Sequence, residues 1–187
     1  LERINDQWAV LSSTTRSDNE LSERKIWLYG YQSKCYALLL DFSYGGREFD
    51  YNLPNGKTIK AELIYYPSTF PQRAIIDKEV KVFSGEVNLV YHKSFDEVRF
   101  NFSEARSINP FLSEIPFLIK NIQLLLENDK VFMRDEENNS QLIDIEEEKL
   151  LVLLSITGGY FFGVFGSYQK AGIRVESILF DSKIINL

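Results

Sequence analysis

A chain of 187 residues with 44% hydrophobic and 14% aromatic content can bury a sizeable core, which argues against disorder and against a coiled coil. The net charge of −6 is unevenly placed, since residues 1–93 carry 12 Lys/Arg against 12 Asp/Glu and residues 94–187 carry 9 against 15. Without a dense basic face, binding of this segment alone to a phosphate backbone is disfavoured, and without a run of about 18 uncharged apolar residues so is a membrane span.

The chain starts at Leu1, and the residues after it, ERINDQWAVL, read as mid-domain sequence with no signal-peptide pattern, as expected of an excised fragment of a cytoplasmic protein. Residues 1–92 read as strands. WAVLSST comes first, then RKIWLYGY and YALLLDFSY joined by the turn QSK, then TIKAELIYY and RAIIDKEVKVF. They are rich in β-branched and aromatic residues and are separated by YGG and LPNGK. Asn55-Gly56 is the strongest hairpin signal and Gly45-Gly46 ends a strand.

Residues 93–129 read as two amphipathic helices. Ser94-Phe95-Asp96-Glu97 matches a capping box, followed by Phe95, Val98, Phe102 and Ala105 at helical spacing. Ser113 reads as a second cap, Pro116 fits a first turn, and Ile115, Leu118, Ile119, Ile122, Leu125 and Leu126 form one apolar face ending at Asn128. Residues 130–187 return to strands: KVFMRD and QLIDI as a hairpin across EENNS, then KLLVLLSI, YFFGVFGSYQ and IRVESILF, the last pair separated by QKAG. Strands, two helices and more strands in series predict a single α+β domain over residues 1–187, largely antiparallel, with no internal repeat.

Cys35 and His92 are the only residues of their types, so the chain forms no internal disulfide and no structural zinc site of three or four Cys and His. Cys35, in KCYALLLDF, reads as a small strand hydrophobe, and His92, in VYHKSF, as a surface loop residue or a lone acid or base. Glu23-Arg24-Lys25, with Asp18 and Asp41 flanking it, has the letters of a metal-dependent nuclease site, but Glu23 reads as a charged residue before the strand. Asp41 ends an apolar strand, where an acid bonds a backbone amide or an arginine. Gly158, Gly159, Gly163 and Gly166 lack the spacing of a phosphate-binding loop and mark bulges, turns or close approaches. The seven acids between Asp135 and Glu148 read as a solvated hairpin tip and flanking loop, open to a basic partner or a cation.

YYPSTFPQRA, residues 65–74, is the segment with most to offer a partner. Pro67 and Pro71 constrain Tyr66 and Phe70, so the loop presents Tyr66, Phe70 and Arg73 at low entropic cost, although a phenylalanine in such a loop more often plugs one end of the core. The rival arrangement is a ligand or enzymatic pocket, for example a weak nuclease-like site, using Asp41, Glu62, Arg73 and His92.

Taken in order, RKIWLYGYQSKCYALLLDFSYGG, IKAELIYYPSTFPQRAII and LLVLLSITGGYFFGVFGSY are similar to the region C-terminal to the zinc motif in bacterial SWIM zinc-finger family proteins. The Cys-x-Cys and Cys-x-His signature of that family is absent. The resemblance therefore implies that zinc, and any binding assigned to the motif, would lie outside this fragment, leaving a non-catalytic accessory domain with a protein partner. It carries over no catalytic residue and no cofactor.

Overall fold

The computed structural model describes residues 1–77, 80–83, 88–143 and 145–187. Lys78 and Glu79 of the expected strand RAIIDKEVKVF, and Asp144 of QLIDI and of the acidic run, lie outside the described residues. The chain, expected as one domain, divides into two compact units, Leu1–Leu89 and Val90–Leu187. The α+β class holds: among the described residues two helices accompany two sheets whose strands pair almost entirely antiparallel.

In the first unit β1 (Arg3–Asp18), β2 (Leu21–Gly30) and β3 (Tyr36–Tyr44) form a meander, and β4 (Thr58–Tyr65) returns to pair with the first half of β1. The short β5 (Ala74–Ile76) and β6 (Lys81–Phe83) both pair with β4. Beside β5, Arg73 makes a parallel bridge to Leu38, whose amide donates to the Gln72 carbonyl at 2.7 Å. The bridge closes β1-β2-β3-β5-β4 into a ring. Alternate residues point inward: Trp8 and Val10, Ile26 and Leu28, Ala37 and Leu39, Ile59, Ala61 and Leu63 form the buried interior. Each large side chain buried there stabilises the fold by about 1.5–3 kcal/mol. The Trp8 indole N–H, which could not be left unpaired inside, donates to the Ala61 carbonyl at 3.1 Å.

Asn55-Gly56 does make a turn, with Gly56 at φ 71°, but it ends the irregular segment 45–57 and joins no two strands. Segment 45–57 closes the ring interior by inserting Leu53 into it.

The second unit repeats this connectivity. After α1 (Phe95–Ile108), β7 (Glu114–Glu127), β8 (Lys130–Arg134) and β9 (Ser140–Ile143) form a meander, α2 (Glu147–Thr157) follows, and β10 (Phe162–Gln169) pairs with β7. β11 (Gly172–Phe180) pairs antiparallel with β10 and, through Ile173 and Ile143, parallel with β9. β12 (Lys183–Asn186) extends the sheet beyond β11. The ring β7-β8-β9-β11-β10 thus matches β1-β2-β3-β5-β4 strand for strand, including closure by a single parallel bridge. This is the connectivity of five-stranded Greek-key barrels of the OB type.

Two elements differ from the sequence reading. The helix expected from Ser113 to Asn128 is strand β7. Phe117 and Ile119 face the interior, Asn121 adopts φ 57° in a bulge opposite β10, and after it Ile122 and Leu124 face the interior. The extra residue shifts one period-two pattern against the other, and the sum imitates a period of 3.6. Conversely KLLVLLSI, expected as a strand, lies in α2. Leucine and glutamate favour helix, Glu147 and Glu148 suit its positive end, and Gly158 stops it in the left-handed conformation with its amide bonded to the Leu154 carbonyl. Only the first expected helix stands, as α1. There Ser94 accepts from the Glu97 amide, while the Glu97 carboxylate reaches back to the Lys93 amide at 2.6 Å.

Candidate functional site

The residues singled out in the first unit separate along its strands. Asp41 lies opposite Arg24, which lies opposite Thr15 on β1, whereas Glu62 lies opposite Asn5. Those two β1 positions are ten residues apart, about 30 Å of strand, so the sheet does not bring Asp41 and Glu62 together. Asp41 is buried and accepts the Tyr51 amide at 2.8 Å. Arg24 donates to the Tyr51 carbonyl at 3.0 Å and stacks over Phe49 at 3.9 Å. Together with the Ser43 hydroxyl, bonded to the Arg47 carbonyl, these groups tie segment 45–57 across the inner side of the β2–β3 ribbon. Asp41 is therefore a loop anchor.

Glu62 sits at 3.7 Å from Arg3, which also pairs with Asp77. Glu23 and Lys25 lie inside β2 rather than before it, and no group of three or more His, Cys, Asp or Glu placed to hold a metal ion occurs among the described residues. His92 belongs to the second unit. Its amide donates to the Leu118 carbonyl at 2.8 Å and its Nδ1 lies 3.0 Å from the same oxygen, so it stitches the approach to α1 onto β7. Cys35, expected inside a strand, is exposed just before β3, its thiol 3.3 Å from the Ser33 carbonyl. Desolvation, and then the Glu2 carboxylate, push that thiol above its ordinary value, which makes it a poor nucleophile.

YYPSTFPQRA is the connection from β4 to β5. Its ends are pinned where Tyr65 pairs with Ala74 and where the Tyr66 amide donates to the Arg73 carbonyl at 2.9 Å. Above that closure the Arg73 guanidinium lies 5.4 Å from the centre of the exposed Tyr66 ring. Phe70 is half-buried, and its amide donates to the Ser68 hydroxyl at 3.2 Å in a local turn. The loop thus carries Tyr66, Phe70 and Arg73, while Asp41 lies on β3 and anchors segment 45–57. Tyr65, next to the loop, turns inward and donates its hydroxyl to the Tyr36 carbonyl at 3.0 Å. Burial pushes that phenol well above its ordinary value, so it is a structural donor rather than an acid.

A concavity lies in the other unit, beside the start of the acidic run that the sequence showed as a solvated tip. A cleft of about 460 Å³ opens where β7 leaves β10 and takes up β8, lined by side chains of Asn121, Gln123, Arg134, Glu136, Asn138 and Phe161. Its floor is fixed by Asp135. This buried carboxylate accepts from the amides of Phe95 at 2.8 Å, Glu137 at 3.0 Å and Asn139 at 2.8 Å, and from the Asn139 side chain at 3.1 Å. The expected solvated tip accordingly has a buried first residue. The only sequence signal was Asp-x-x-x-Asn, a common turn pattern that says nothing about a cleft.

No family model matches the chain, and neither does any curated protein or solved structure. No helix among the described residues is long and apolar enough to cross a membrane.

Proposed function

We propose that the chain is a non-catalytic interaction module whose contact surface in the first unit is the β4–β5 loop. The observation that carries this reading is the pair of Tyr66 and Arg73, stacked and exposed on a loop closed by a backbone hydrogen bond and stiffened by Pro67 and Pro71. Tyrosine and arginine are the side chains that most often dominate a protein interface, and a rigid loop lowers the ordering cost of binding. An exposed stack of this kind contributes only about 0.5–1 kcal/mol to the free protein, so its value to folding is small. A cytoplasmic protein partner, and a place C-terminal to a zinc motif in a SWIM-type protein, accord with the order of the sequence motifs and the acidic balance.

The test is capture of partners from a cell extract by wild type and by the double substitution Phe70→Ala and Arg73→Ala, with Tyr66→Ala as a third arm. Loss of the same bound proteins in both variants, with unchanged thermal melts, is the expected result. Retention of every partner removes this loop as the contact surface.

A further inference from the structure

The cleft of the second unit is built for hydrogen bonding rather than for apolar burial. Two side-chain pairs frame it: Arg134 donates to the Gln123 carbonyl oxygen across the β7–β8 ladder at 3.0 Å, and the Asn121 amide nitrogen donates to Glu136 in the turn after β8 at 2.8 Å. Each pair uses only part of what these groups offer. A primary amide has two N–H donors and a two-lone-pair oxygen, guanidinium has five donors, and a carboxylate accepts about four bonds. One side of the cleft is therefore rich in donors, from Gln123 and Arg134, and the other in acceptors, from Asn121 and Glu136. The pairs also fix these planar groups in place before any ligand arrives, which lowers the cost of ordering them on binding.

The third component is aromatic. The connection from α2 to β10 holds Tyr160 at 74% and Phe161 at 60% exposure, and Phe161 lines the cleft. An exposed phenylalanine beside a ring of planar polar groups offers a flat apolar face within reach of hydrogen-bonding partners on the same ligand. The volume falls in the range of small-molecule sites, roughly 300–1,000 Å³.

Charge selects among ligands with one apolar face and many polar edges. Residues 90–187 hold 10 Lys/Arg against 15 Asp/Glu, and among the described residues Arg134 is the single cation on a lining that also includes Asp135 and Glu136. A phosphodiester or a polyanionic sugar would be repelled. A metal ion is no better served, since Asp135 is already committed to four N–H donors, which leaves Glu136 as the one carboxylate with open acceptor sites on the described lining. What remains is a neutral, hydroxyl-rich ligand with a C–H face that lies on an aromatic ring.

We infer that the cleft at the β7 bulge is a binding site for a neutral saccharide, Phe161 stacking on a sugar ring while Asn121, Gln123, Arg134 and Glu136 bond its hydroxyls. The site is separate from the turns between β7 and β8 and between β10 and β11, the equivalents of the loops that barrels of this connectivity use for ligands. Here those turns are Asn128-Asp129 and Lys170-Ala171, at the far ends of β8 and β10 from the cleft. The inference is independent of the β4–β5 loop.

The experiment is a titration of the full chain, labelled with nitrogen-15, followed by amide chemical shifts. Maltohexaose, cellohexaose, xylohexaose and N-acetylchitohexaose are the saccharide probes, and uridine and a twelve-residue oligothymidine are the competing chemistries. At least one saccharide is expected to give saturable shifts at residues 121–123, 134–139 and 160–162. Phe161→Ala and Gln123→Ala should each weaken it about tenfold, as loss of a central contact does. Asn121 is left unchanged because its φ of 57° makes an alanine there a backbone change as well as a side-chain one. Thermal melts of both variants establish that they fold, and two substitutions on different elements guard against one that does not. The inference is overturned if no saccharide shifts these amides, if uridine or the oligothymidine binds there in their place, or if both folded variants bind as tightly as wild type.

Discussion

The two barrels reach the same strand order with different plugs. In the first, the connection between third and fourth strands is the irregular segment 45–57, which buries Leu53. In the second it contains α2, which buries Leu153, and α1 adds Phe95 and Val98. A helix satisfies its own backbone, so α2 needs only an apolar residue on its inner side. A loop does not, and every buried amide or carbonyl in it must find a partner elsewhere. The first barrel therefore spends Asp41, Arg24 and Ser43 on loop backbone. In the second, Asp135 does this where a turn meets the start of α1. The buried aspartates Asp6, Asp41 and Asp135 are supports for backbone, and of the two binding candidates it is the cleft that such a support, Asp135, holds in shape.

The sharpest way to test the parallel is to empty each barrel in turn. Trp8→Ala and Phe95→Ala each remove a fully buried aromatic and should cost about 3–5 kcal/mol, read as a lowered denaturant midpoint. Amide exchange should place the first loss in residues 1–77 and the second in residues 90–187; a loss below 1 kcal/mol for either would mean that its barrel is not held by its interior. Asp135→Ala leaves three amides and a side-chain donor without an acceptor and should cost about 3 kcal/mol, against about 1–2 for Asp41→Ala, for which one amide is orphaned. Equal costs would show that the loop plug depends on its anchor as much as α1 depends on its own.

Legibility in the sequence followed the same division. Where one face of a strand alternates without interruption, as in β2, β3 and β4, the pattern reads directly. β7 did not, because Asn121 adds a residue mid-strand and a bulge cannot be told from a helical repeat by apolar spacing alone. α2 was readable in principle: three glutamates, a leucine-rich run and Gly158-Gly159 are start and stop signals that outweigh its apolar content. Gly166 illustrates a correct reading, since a Cβ there would lie 2.4 Å from the Arg174 carbonyl and 3.1 Å from the Phe117 ring, a close approach beside a bulge. The duplicated barrel was invisible because strand order is a property of pairing, and the two units share almost no local pattern. Of the site, the stiff loop was legible from its prolines. The cleft was not, since it arises where one strand changes partner.

The smallest expected effect concerns Asp6, the anchor of the turn between β2 and β3. Burial by itself would raise its carboxyl, but the Ser33 amide and hydroxyl at 2.8 Å each, with the amides of Gln32 and Gln7, hold it below the ordinary value of 3.8. Gly30 makes room for this cluster, since a Cβ there would lie 2.8 Å from the carboxylate. A carboxyl whose folded value is depressed stabilises the fold fully above its unfolded value, and the contribution fades as pH falls through the folded one. Urea midpoints should therefore drop for wild type below about pH 4. Asp6→Asn keeps an acceptor and loses the charge, so it should cost about 1 kcal/mol at pH 7 and show a shallower fall between pH 4 and 2. Parallel pH profiles would mean that the charge at Asp6 adds nothing beyond the hydrogen bonds, and that the turn is held by Gly30 and Ser33 alone.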